Sequence, residues 1–67
     1  MASPTRRELQ VVRLVVDGRS DDEIGAALGI TTKTVEGHLR RLFERLGVQS
    51  RPELAARALR EAWLEVP

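Results

Sequence analysis

Cysteine is absent from these 67 residues, and histidine occurs once, as His38. Disulfides are therefore excluded, and a Cys/His zinc site with them. A chain this short sits near the lower limit for a core that holds without such staples. Its stability has to come from helix packing, with self-association as a further source. Aromatics are nearly missing as well: Phe43 and Trp63 are the only two. A platform for single-stranded nucleic acid needs exposed rings, whereas an apolar content of 42% suits a Leu, Val and Ile core between helices. No apolar run approaches a membrane span or a signal-peptide core, so a cytoplasmic location without a membrane partner is expected. Lysine is scarce too, since ten of the eleven basic residues are arginine. The planar guanidinium suits phosphates and guanine edges, although a GC-rich genome would produce the same preference.

A net charge of +1 says little until it is located. Residues 1–30 hold Arg6, Arg7, Arg13 and Arg19 against five acids, and residues 52–67 hold Arg57 and Arg60 against three, so each segment sums to −1. Residues 31–51 hold Lys33, Arg40, Arg41, Arg45 and Arg51 against Glu36 and Glu44, a sum of +3. The positive charge is concentrated there, as expected of a nucleic-acid contact. The alternative is an ordinary solvated helix face.

Start and stop signals divide the chain. Thr5-Arg6-Arg7-Glu8, Ser20-Asp21-Asp22-Glu23 and Ser50-Arg51-Pro52-Glu53 each read as a capping box. The hydroxyl accepts from the third helical amide, and the Glu reaches back to the cap amide. Thr31 opens a fourth segment with Thr34 in place of Glu, so it caps singly and leaves amides free. Gly18, Gly29 and Gly47 follow the first three amphipathic segments, where a left-handed residue is wanted. Four helices are predicted, over about 5–17, 20–28, 31–46 and 50–65, in an all-α fold. Residues 1–4 read as a tail or linker remnant and 5–67 as one domain.

The segment Thr31–Leu46 organises the rest. Val35, Leu39, Leu42, Phe43 and Leu46 fall on one helical face, while Lys33, Gly37, Arg40, Arg41 and Glu44 fall on the other, with Glu36 and His38 on its flanks. Gly25, Gly29 and Val35 add the helix-turn-helix spacing: a tiny residue at the crossing, a left-handed residue in the turn and an apolar anchor in the second helix. No nucleophile–base pair, Gly-rich phosphate loop, paired carboxylates or metal-ligand set is visible, so neither an enzyme nor a cofactor is expected.

Longer motifs carry a family resemblance. Thr5-x-Arg7-Glu8, Gly18-x-Ser20-x-x-Glu23-Ile24, Leu28-Gly29-Ile30, Lys33-Thr34-Val35-x-x-His38 and Leu46-Gly47-Val48-x-Ser50-Arg51-x-Glu53-Leu54 run in order from Thr5 to about Ala58. This resembles the LuxR/FixJ-type (NarL/GerE-type) DNA-binding domain of bacterial transcriptional regulators, a four-helix helix-turn-helix fold distinct from the winged helix. The resemblance implies sequence-specific binding to promoter DNA by a response regulator of a two-component system, with helix 31–46 in the major groove. It implies base contacts at Lys33, Glu36, Gly37 and Arg40, and backbone contacts at Thr32, Thr34, His38 and Arg41, the last at the groove wall; the free amides at the helix N-terminus add Thr31 to the backbone contacts. It also implies a homodimer through the fourth helix, for which Ala55, Ala58, Leu59, Ala62 and Trp63 are the candidates, work at the bacterial nucleoid, and RNA polymerase as a further partner. A receiver or ligand-sensing domain usually precedes this module, and an excised effector domain is the expectation here.

Three positions depart from the family pattern. Glu36 stands where a basic residue is common, and it either accepts from a cytosine amino group or pairs with Arg40 one turn on. Gly37 offers no side chain where the family often has one. Pro4 replaces an apolar residue that would staple the first helix. Trp63 has two readings, as an anchor for a symmetry mate or as a lid on its own core. The rival function is a helical protein-interaction module, an adaptor or anti-activator that keeps the fold without specific DNA binding.

Overall fold

Hydrogen bonds at the first turns set where each helix begins. The computed structural model describes residues 4–64, with α1 at Arg6–Val16, α2 at Asp21–Leu28, α3 at Thr32–Leu46 and α4 at Arg51–Arg60. Residues 1–3 of the expected tail, and 65–67 at the expected end of the last helix, lie outside the described residues. At α1, Thr5 Oγ1 accepts from the Glu8 amide at 3.2 Å and Glu8 Oε1 accepts from the Thr5 amide at 2.8 Å. The same reciprocal pair joins Ser20 and Glu23 at α2. The third box is half formed. Ser50 Oγ accepts from Glu53, but the Glu53 carboxylate takes the amide of Gln49 instead of Ser50. Ser50 has φ −154°, against −72° at Thr5 and −77° at Ser20, which presents a different amide to the returning carboxylate.

The stops of α2 and α3 use Gly29 and Gly47 at φ 71° and 72°. The next residues close the ends: the Ile30 amide donates to Gly25 O and the Val48 amide to Phe43 O, as in a Schellman ending. The last helix differs from the expectation. It ends at Arg60 instead of near 65, and Ala62 takes the left-handed role at φ 57° that glycine usually fills. The Ala62 amide donates to Leu59 O and the Trp63 amide to Ala58 O. This reversal turns Trp63 and Leu64 back onto the core, with the Arg57 guanidinium 5.8 Å above the indole centroid and Arg13 Nη2 donating to Leu64 O. Packing decides this end, because no helix breaker stands in the sequence before it.

α1 is the hub, touching α2, α3 and α4, and α2 lies against α3. Val11 and Val12 of α1, Ile24 of α2, Val35 and Leu42 of α3 and Leu54 of α4 are wholly buried between them. Among the described residues no polar or charged side chain is buried, so hydrophobic burial is opposed by no desolvated charge. Arginines fasten the outside. Arg51 reaches Asp21 Oδ1 at 2.5 Å and the Arg19 carbonyl at 2.6 Å, tying the start of α4 to the start of α2. Arg57 donates to the last-turn carbonyl of Leu46, and Arg45 pairs with Glu8 of α1. No helix among the described residues is long and apolar enough to cross a membrane.

Candidate nucleic-acid interface

α2 and α3 are held in a tight corner, and Gly25 decides how tight. A Cβ on Gly25 would lie 2.7 Å from Ile30 O, 3.4 Å from Thr31 C and 3.5 Å from Thr32 N. The element pressed against Gly25 is thus the chain's own turn into α3. The small residue expected at the helix crossing serves the entry of α3 directly.

α3 divides as its periodicity predicts. Val35, Leu39, Leu42 and Leu46 are buried, and Lys33, Thr34, Glu36, Arg40, Arg41 and Glu44 are exposed. Gly37 and His38 are half-buried. Lys33, Thr34, Glu36, Gly37, Arg40 and Arg41 line one shallow recess on the outward side, so all four expected base-reading positions meet there, with two of the expected backbone contacts beside them. Glu44 lies in an adjoining groove together with Glu36, Arg40 and Arg51.

Charge pairing sorts the arginines. The four ion pairs among the described residues are Arg19–Glu23, Arg45–Glu8, Arg51–Asp21 and Arg57–Glu61. Arg45 and Arg51, which contributed to the basic count of residues 31–51, are therefore engaged within the domain. Lys33, Arg40 and Arg41 form no ion pair among the described residues; Arg6, Arg7 and Arg60 on α1 and α4 also form none. Of the two readings of Glu36, the pairing with Arg40 is not formed, so both groups face solvent from the same recess. Local charge at the recess is that of three cations and one carboxylate.

The N-terminus of α3 is the one with no acid in its first turn; α1 carries Glu8, α2 Asp21, Asp22 and Glu23, and α4 Glu53. No side chain of its own first turn offsets the positive dipole end, and a carboxylate reaches it from α2, Asp22 through Thr32. Thr31 Oγ1 accepts from the Thr34 amide at 3.1 Å and lies 2.8 Å from Thr34 Oγ1. Thr32 Oγ1 donates to Asp22 Oδ1 at 2.6 Å, which commits its hydroxyl proton to α2. A contact from Thr32 to an anion therefore has to come from its backbone N–H. By contrast, the carboxyl of Glu23 at the start of α2 is held below the ordinary glutamate range, chiefly by the Ser20 amide and further by Arg19.

The expected dimer positions do not form one surface. Ala58 is wholly buried in its own core and Trp63 is turned toward it, whereas Ala62 is exposed and Ala55 half-buried. Leu59 is 67% exposed, the one large hydrophobic so placed among the described residues. Sequence reasoning missed the clasp of Arg51, whose partner Asp21 lies on another helix.

Comparison with known proteins agrees with this geometry. The family described as bacterial regulatory proteins, luxR family, matches residues 2–58. The chain is 36% identical over 62 residues to the transcriptional regulatory protein DegU of Brevibacillus brevis, covering 92% of this chain and 26% of that one. It is 38% identical over 61 residues to the oxygen regulatory protein NreC of Staphylococcus aureus, covering 91% of this chain and 28% of that one. The chain thus spans little more than a quarter of the length of these curated relatives.

Proposed function

Because the chain belongs to the luxR family of bacterial regulatory proteins, we propose that it binds promoter DNA sequence-specifically, as the effector domain (residues 5–67) of a response regulator, with α3 in the major groove. Lys33, Glu36 and Arg40 are the base-contacting side chains in this reading, and Gly37 brings the α3 backbone close to the base edges. The α3 N-terminus, with Thr31, Thr32 and Thr34, and His38 on its flank, meets the phosphate backbone. The observation that carries the reading is the convergence of Lys33, Arg40 and Arg41 on one outward recess of α3, where none has an ion-pair partner among the described residues, while the other cations of residues 31–51, Arg45 and Arg51, are paired within the fold. Free cations on a face with no other internal role fit a polyanion. A homodimer on DNA and contact with RNA polymerase at the nucleoid complete the proposal.

Selection of bound duplexes from a random pool tests it. The wild-type chain should recover a defined sequence, and its affinity should fall steeply with salt, each phosphate contact contributing a slope of about 0.9 in log–log form. Arg40→Ala should lose roughly 1–3 kcal/mol on that sequence and relax the preference at one base pair. A purified, folded chain that binds no duplex at low salt would instead support the adaptor role.

A further inference from the structure

Gly37 stands at the centre of the outward face of α3. At about 100° per residue, Arg40 lies roughly 60° to one side of it and Arg41 roughly 40° to the other, and the buried row lies behind. With no side chain at 37, the centre of this face is bare helix backbone. Arg41 covers it. Its Nη1 lies 3.4 Å, its Nη2 3.7 Å and its Cζ 3.9 Å from where a Gly37 Cβ would stand. The direction is the ordinary one for a helix, in which the residue at i+4 leans back over i, but a side chain longer or more branched than alanine at position 37 would prop the guanidinium away. Arg41 also lines the same recess as Lys33, Glu36 and Arg40, and no carboxylate holds it elsewhere among the described residues.

We propose that Arg41 is a specificity-determining residue, laid over the bare backbone at Gly37 so that its guanidinium fork reads a guanine edge. The inference rests on the DNA-binding reading above, and it moves Arg41 from the groove wall to the reading surface. A phosphate contact needs only the charge, whereas O6 and N7 of guanine match two parallel N–H groups. Gly37 and Arg41 then act as one unit: the glycine supplies the space and the arginine supplies the donors. Gly37→Val places two methyl groups where the guanidinium lies and displaces it, while Arg41→Lys keeps the charge and removes the fork.

The test is duplex selection from a random pool, followed by salt titration on the recovered site, for the wild-type chain, Arg41→Ala, Arg41→Lys, Gly37→Val and the Gly37→Val/Arg41→Ala double variant. Circular dichroism establishes that each is folded. The expected result is that Arg41→Ala and Arg41→Lys both lose the preference for one G·C pair by roughly 5- to 100-fold and keep the others. Gly37→Val should lose preference at the same pair, and the double variant should lose little more than either single one. Arg41→Ala weakening all sequences alike, with a shallower salt slope that Arg41→Lys restores, would overturn the inference and return Arg41 to the phosphate wall. So would losses at different pairs for Gly37→Val and Arg41→Ala. A wild-type chain that recovers no sequence would overturn the DNA-binding reading itself, and this inference with it.

Discussion

Gly25 shows how much of the α2–α3 corner depends on one missing methyl group. Its absent Cβ would stand 2.7 Å from the Ile30 carbonyl oxygen, and that oxygen belongs to the backbone of the turn, so no flexible side chain can yield. Alanine would gain about 1 kcal/mol of helix propensity, yet forcing the turn apart costs about 1–3 kcal/mol, occasionally more. Gly25→Ala should therefore lower the urea midpoint and weaken duplex binding together, since the displaced turn is the one that aims α3. A raised midpoint with unchanged binding would show that the turn has slack. Gly37→Ala is the internal contrast. The atoms its Cβ would meet belong to the far end of Arg41, so there the propensity gain should prevail and the fold should be stabilised. The two glycines are equally visible in the sequence. Only the surroundings, set by which backbone turns past each of them, separate a structural glycine from one on the outward face of α3.

At the scale of elements, the signals that act locally were legible and those that depend on distant packing were not. The caps at Thr5, Ser20 and Thr31 and the stops at Gly29 and Gly47 involve residues within five positions of one another, and all form as their spacing predicts. The end of α4 was not legible, because Ala62 reverses the chain only when Trp63 has a core to cover and Arg57 an indole to lie over. The partner of Arg51 was equally hidden, since Asp21 lies thirty positions away. For the outward face of α3, periodicity found the row, but which of its cations are free depends on pairings across the fold. α2, with eight residues, relies most on its local signals. The Glu23 carboxyl is held below its ordinary value of 4.5, first by the hydrogen bond from the Ser20 amide. A depressed folded-state pKa stabilises the fold above the unfolded value and loses that contribution as pH falls through the folded one. The wild-type chain should therefore lose stability below about pH 4.5, the ordinary glutamate value, and Glu23→Gln, which keeps an acceptor but does not titrate, should show a flatter acid arm. Urea midpoints measured stepwise from neutral pH downward decide this, and superimposable acid arms would remove Glu23 from the acid response.

For the molecule as a whole, two surfaces bear on the proposed function: the cationic face of α3 and an apolar point on α4. Leu59 stands 67% exposed there, with Ala55 on one side and Ala62 on the other, while Ala58 and Trp63 belong to the core of the same chain. An exposed leucine flanked by small residues allows a second helix to approach closely, and a two-fold axis would set Leu59 against the same patch on the copy. So small a patch is well below the area of a stable interface. The dimer we propose therefore forms on DNA, where adjacent half-sites supply the effective concentration that the patch alone does not. The domain measures 28 × 27 × 19 Å, a size that fits half-sites one helical turn, about 34 Å, apart. Leu59→Glu puts a charge into this contact while leaving the core intact. It should bind a single half-site as the wild type does and lose the cooperative gain on a duplex carrying two. Sedimentation of the free proteins should show monomers for both. Cooperativity that survives Leu59→Glu unchanged would place the dimer contact elsewhere than α4.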